Sequence, residues 1–206
     1  MPTLHHVHDP MCSWCYAFAP NWRRIEASLP SSISVQYVLG GLAPDSDLPM
    51  APHVQVYVQE NWRRIQSVVP GTEFNFDFWT RCLPRRSTYP ACRAVLAARH
   101  FGSRYEVEMI ERIQLAYYRE ARNPSDVETL CELAGEIGID VQAFRERIGG
   151  KACQAMLESD IQKTLALGVT GFPSLVLATD DGLTVIPHDY IDPMISLRAI
   201  DLTHSG

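Results

Sequence analysis

Apolar and polar positions first organise themselves at "TLHHVH", residues 3–8, which reads as a short strand running directly into "DPMCSWCYAFAP". From Ser13 to Ala27 the residues suit a helix, with Pro20 expected to kink it because proline lacks the N–H that the helix would use. "SISVQYVL" at 32–39 then alternates, placing Ile33, Val35, Tyr37 and Leu39 on one face, the pattern of a strand with one covered side. Strand, helix, strand is the opening of a βαβ unit.

"GGLAPDSDLP" at 40–49 breaks this pattern, and a helical one follows as far as Leu167. Ser103 with Glu106, and Ser125 with Glu128, fit the S-x-x-E capping box and predict helix starts at about 104 and 126. Leu130, Leu133, Ala134 and Ile137 form the apolar stripe of the second of these helices. Gly138 should end it, Asp140 should cap a short successor, and Gly149-Gly150 should end that. A long helix is expected from Lys151 to Leu167, stopping at Gly168.

Strand signals return with "SLVLAT" at 174–179 and "LTVIP" at 183–187, joined by "DDG" as a hairpin turn. Asp192-Pro193, an N-cap followed by an N1 proline, predicts a last helix to about residue 201. The order is βαβ, helices, ββα, so the fold class is α/β with a helical insertion. The expected division is a discontinuous core of residues 1–45 and 166–206, with residues 46–165 inserted. "NWRRI" occurs at 21–25 and 61–65, but in unmatched surroundings, and reads as coincidence on two amphipathic helices.

The chain has 206 residues, 46% of them hydrophobic and 20% charged, enough to bury a sizeable core. Net charge is −6, and the arginine doublets at 23–24, 63–64 and 85–86 are isolated, so no basic track for nucleic acid is expected. No apolar run approaches the roughly 18 residues of a membrane-spanning helix. "MPTLHHVHDPM" lacks the basic start and apolar core of a secretory signal, so a cytoplasmic location is expected.

Six cysteines lie at 12, 15, 82, 92, 131 and 153, and only Cys12 and Cys15 form a short motif. Such a pair can staple, hold half a zinc site, or cycle between dithiol and disulfide. At the mouth of a helix, Cys12 would face unpaired N–H groups and the positive end of the dipole, both favouring the thiolate that attacks disulfides. Cys15, one turn further in, would be less exposed and suited to resolving a mixed disulfide. A zinc site needs a second knuckle, which the other cysteines do not offer. Cys92, Cys131 and Cys153 fall in apparent helices, where a free cysteine is usually a small buried apolar residue. His6 and His8 share a strand face and, with His5, leave a chance metal site conceivable, although no metal is expected. His8 and Asp9 stand near enough to Cys12 to modulate it.

"GVTGFPSLVL" at 168–177 sets Phe172-Pro173 directly before a buried strand. With Cys12-x-x-Cys15 after the first strand and Pro20 five residues beyond Cys15, it resembles the thioredoxin-fold proteins, where such a segment is the cis-proline loop. The helical block between the two motifs is similar to the DsbA-like branch. "DPMCSWCY" resembles the members of that branch without a signal sequence, loosely described as disulfide isomerases.

The resemblance implies a thiol–disulfide oxidoreductase with Cys12 as nucleophile and Cys15 as resolving thiol. Pro173 would be cis, with the backbone of Phe172 pairing with an extended substrate. Ser13 and Trp14 would tune the redox potential and meet the substrate, unless Trp14 instead packs on the helical block. No cofactor beyond the cysteine pair is implied, with glutathione a candidate co-substrate. The partner would be a disulfide-containing protein or small thiol, neither nucleic acid nor membrane, and oligomeric state is left open. Three histidines occupy a strand that is more apolar in the family, and the family's proton-transfer acid cannot be placed from sequence, with Asp9 and His8 the candidates.

Two other readings remain. One is a glutathione-dependent isomerase or transferase of the kappa-class or hydroxychromene carboxylate isomerase type, which typically has serine for the first cysteine. The other is a non-catalytic metal module, which leaves the proline loop unused. In a reducing cytoplasm the pair would rest as a dithiol, favouring reductase or isomerase work over oxidation.

Overall fold

A computed structural model describes residues 1–204. The chain divides into two compact units, Met1–Gly40 together with the chain from Asp160 onward, and Gly41–Ser159. The breaks expected at 45/46 and 165/166 thus lie a few residues beyond these.

The first unit holds a four-stranded sheet in the order β2-β1-β3-β4. Strand β1 (Thr3–His8) pairs parallel with β2 (Ser34–Leu39), joined by helix α1 (Ser13–Ala27). Parallel neighbours require such a crossover. β1 also pairs antiparallel with β3 (Ser174–Thr179), which forms a hairpin with β4 (Gly182–Ile186). Gly182 closes that hairpin at φ +133°, a backbone that favours glycine.

Period two places Leu4 of β1 and Leu175 and Leu177 of β3 in one cluster with Phe18, Trp22 and Ile25 of α1 and Ile200 of the last helix. The other face gathers Val7, Val38 and Val176 with Leu167, and Phe172 packs at its rim. Pro20 is exposed and α1 is continuous through it, so the expected kink does not divide the helix.

The second unit is helical. It comprises α2 (Pro52–Val68), α3 (Phe78–Arg81), α4 (Tyr89–His100), α5 (Ser103–Tyr118), α6 (Val127–Glu136), α7 (Val141–Ile148) and the start of α8 (Lys151–Ala166). Trp62 of α2 is fully buried and stacks on Phe74 at 4.9 Å, with Phe78, Tyr117 and Tyr118 meeting its edges. The two "NWRRI" segments share an amphipathic logic: Trp22 and Ile25, like Trp62 and Ile65, are buried while the arginines between them face solvent.

Asp140 caps α7, its carboxylate accepting from the Ala143 N–H at 2.7 Å. The capping boxes expected at Ser103 and Ser125 do not form. Ser103 is the first helical residue of α5, behind Gly102, and Ser125 precedes the Asp126 N-cap of α6. The glutamates are engaged elsewhere, Glu106 with Arg99 at 2.5 Å and Glu128 with Arg145 at 2.5 and 2.6 Å. A charged fork outcompetes the weak reach of a glutamate back to its own N-cap. The chain returns to the first unit along α8, and a final helix α9 (Met194–His204) opens where Asp192 accepts from the Met194 N–H at 2.9 Å.

Candidate active site

The site is built at the C-terminal end of β1, where the chain turns into α1. Asp9, fully buried, shapes that turn twice: its carboxylate accepts from the Met11 N–H at 2.8 Å and its carbonyl from the Cys12 N–H at 3.0 Å. The turn delivers Cys12 to the N-cap of α1, in an extended conformation, with Cys15 one turn inside. No side chain caps this end, so the first-turn N–H groups are left for sulfur.

Both thiols are secluded, Cys12 at 8% and Cys15 at 4% exposure, yet their acidities diverge. The Cys12 thiol is pulled below its ordinary value, chiefly because Cys15 donates a hydrogen bond to its sulfur, aided by the backbone N–H groups of Cys15 and Trp14. Burial and the Asp9 charge oppose this without reversing it. The Cys15 thiol is pushed well up, first by burial and then by giving its proton to the bond with Cys12. One sulfur is prepared to be a thiolate and the other to stay protonated.

Phe172 reaches the pair from the segment before β3. The Phe172–Pro173 bond is cis, and the Cys12 thiol donates to the Phe172 carbonyl at 3.6 Å. Its ring lies against Gly40 at the end of β2, so closely that a Cβ there would fall 2.0 Å from the ring. Pro173 is buried, while Ser13, Trp14 and Phe172 are partly exposed beside the sulfurs. Cys12, Cys15, Asp9 and Phe172 are therefore brought together.

His8 points into the sheet face under α1, where it stacks on His6 at 5.1 Å and meets Tyr37 at 5.7 Å. His6 in turn packs on Trp22 at 4.2 Å, and burial holds it neutral, well below the ordinary histidine range. Among the described residues no group of three or more His, Cys, Asp or Glu side chains is disposed to hold a metal ion, and no helix is long and apolar enough to cross a membrane. Cys92, Cys131 and Cys153 are buried thiols in helices, outside any disulfide, and Cys82 is half-buried, donating to the Ala121 carbonyl at 3.0 Å.

Two neighbours of the pair escaped sequence reasoning. Gly40 falls in the break at 40–49, and Tyr190 lies between the expected hairpin and the last helix, neither singled out by its own residue type. Tyr190 packs its ring on Trp14 at 5.1 Å, and the aromatic-rich "PHDY" before the last helix was the one hint.

Solved structures share this fold. A Nitrosomonas europaea protein described as a candidate protein disulfide isomerase superposes with a TM-score of 0.86 at 25% identity, covering 100% of this chain and 99% of that one. The cytosolic disulfide reductase DsbM of Pseudomonas aeruginosa gives 0.76 at 27% identity and 98% coverage of both, and its structure with GSH gives 0.74 at 25% identity. The ClpXP adapter protein SpxH of Bacillus subtilis is 20% identical over 182 residues, 86% of this chain but 60% of that protein's length. The architecture is that of the DsbA-like proteins, and the Cys12–Cys15 pair within it points to a thiol–disulfide active site. The family model described as thioredoxin matches residues 6–187, and the chain belongs to that family.

Proposed function

We propose that this protein is a thiol–disulfide oxidoreductase working as a reductase or isomerase on protein or small-molecule disulfides. Cys12 attacks as thiolate, the substrate's first sulfur leaves, and Cys15 displaces the second by closing the Cys12–Cys15 disulfide. Two equivalents of a thiol of the glutathione class then restore the dithiol and leave joined as their own disulfide. Ser13, Trp14, Phe172 and Pro173 border the place where the substrate's chain would lie, and Asp9 tunes both sulfurs through its charge. His8 acts only at one remove, through the packing under α1. The protein would do this work in the cytoplasm.

The observation that carries the reading is the placement of Cys12 at the uncapped head of α1, one turn before Cys15 and against the Phe172 carbonyl at 3.6 Å. With it goes a Cys12 thiol lowered chiefly by the hydrogen bond from Cys15, and a Cys15 thiol raised chiefly by burial. The relative named as a cytosolic disulfide reductase, and its structure with GSH, support the reductive direction. Retention of both cysteines argues against the glutathione isomerase or transferase alternative. In the test, a Cys15→Ser variant is incubated with disulfide substrates. Mixed disulfides should accumulate on Cys12 and be absent from Cys12→Ser. Equal reduction of a model disulfide by wild type and Cys12→Ser would end the proposal.

A further inference from the structure

Asp160 lies on α8 within the first unit, 9% exposed, and its carboxylate accepts from the Leu39 N–H at 3.1 Å. Leu39 ends β2, an edge strand of the sheet, and is fully buried. The next N–H, that of Gly40, donates back to the His8 carbonyl at 2.8 Å, so the Leu39 N–H faces away from β1 and off the edge of the sheet. A buried N–H without an acceptor is costly, and the Asp160 carboxylate supplies one from 121 residues along the chain. One turn on, Lys163 of the same helix donates to Gln36 of β2 at 2.6 Å, so α8 is tied to this strand twice.

What this bond fixes is the seat of Phe172. Gly40 follows Leu39 directly, and a Cβ on Gly40 would fall 2.0 Å from the Phe172 ring. The Phe172 carbonyl in turn meets the Cys12 thiol at 3.6 Å. The segment that carries Phe172 leaves α8 six residues earlier, at Ala166, and Leu167 and Val169 anchor it among Val7, Val38 and Val176. Asp160 therefore joins the strand that seats the Phe172 ring to the helix that leads into the Phe172 segment.

We propose that Asp160 is a positioning residue for substrate: it holds the Phe172 backbone in place for an extended chain entering beside Cys12. The inference rests on the oxidoreductase reading and adds a residue to its binding step. Asp160 acts through Leu39 and Gly40, and the exchange chemistry of Cys12 and Cys15 stays as it is. A hydrogen bond to a charged acceptor is about twice as strong as one to a neutral acceptor, and its loss frees the seat to shift. A peptide disulfide, whose backbone pairs with Phe172, senses that shift. A small disulfide that makes no such pairing does not.

Single-turnover reduction by the pre-reduced protein separates binding from chemistry. The two substrates are a linear peptide joined by a disulfide to a small thiol, and hydroxyethyl disulfide. Asp160→Asn replaces the charged acceptor with a neutral one of the same size, and Asp160→Ala removes it. The half-saturating peptide concentration should rise about threefold in Asp160→Asn and about tenfold in Asp160→Ala, at an unchanged limiting rate. Reduction of hydroxyethyl disulfide and alkylation of Cys12 by iodoacetamide should match wild type in both. Ile200→Ala opens a cavity in the cluster on the opposite face of the sheet, and should weaken the unit without raising the half-saturating peptide concentration. A peptide saturation curve unchanged in both Asp160 variants, a loss shared equally by the small disulfide, or the same peptide loss in Ile200→Ala overturns the role of Asp160 while leaving the oxidoreductase reading standing. Wild type that reduces neither substrate faster than Cys12→Ser overturns both.

Discussion

Lowering the pH should destabilise this fold in a way traceable to a single side chain. His5 is 6% exposed on β1, and burial, with a smaller contribution from the Lys163 charge, lowers its pKa from 6.5 to about 4. Between these values the unfolded chain binds a proton that the folded chain refuses, so stability is complete above 6.5 and falls as the pH drops toward 4. At about pH 5 the loss from His5 alone is about 2 kcal/mol, and it would level off at about 3 kcal/mol below the folded pKa. His6 and His188 are shifted the same way, so the whole protein loses more than this share. Urea unfolding of the reduced protein at about pH 7.5 and about pH 5 measures the fall, and His5→Gln removes one titration without adding charge. The variant should lose about 2 kcal/mol less than wild type between the two conditions. Equal losses in the two proteins would refute the placement of His5 as a buried neutral group.

Gly40→Ala should move the Phe172 ring, because the new Cβ would lie 2.0 Å from it, and the carbonyl that meets Cys12 at 3.6 Å belongs to the same residue. A stability loss of about 1–3 kcal/mol in urea and slower disulfide reduction are expected, and no change in either would refute the contact. Asp9→Asn should keep the bond from the Met11 N–H while removing the charge that raises both thiols. The midpoint of iodoacetamide reaction at Cys12 should then fall in pH; a rise or no shift would count against the electrostatic role of Asp9.

How far the sequence disclosed this arrangement depends on the range of the interaction concerned. Strand and helix boundaries follow local periodicity, and the β1, α1 and hairpin readings coincide with the observed elements to within a residue or two. Asp140 caps α7 as read because its partner, the Ala143 N–H, is three residues away. Ser103 and Ser125 fail as caps because Arg99 and Arg145 claim the glutamates, and only the packed helices bring those arginines within reach. Likewise the Cys12-x-x-Cys15 motif is local, whereas Tyr190 reaches Trp14 across most of the chain length. Gly40 shows the same limit: its lack of a side chain matters only because the Phe172 ring fills that space.

The three histidines that looked out of place on β1 acquire a physical reading from their burial. His5 and His6 are held neutral, and the His6 ring serves as an aromatic plate among Trp22, Tyr37 and Phe18. A neutral imidazole adds no positive field, so these two do not hold Cys12 as a thiolate through ordinary pH. That work falls to dipoles: the Cys15 S–H and the N–H groups of Cys15 and Trp14, opposed by Asp9. The contribution of Cys15 lasts only while Cys15 keeps its proton. Once Cys12 has bonded to a substrate sulfur, the donor is released from its partner and can itself ionise. On the proposed reading, the hydrogen bond that prepares the first sulfur for attack therefore also adds to the burial that holds the second back, and that added part is lifted once the first has reacted.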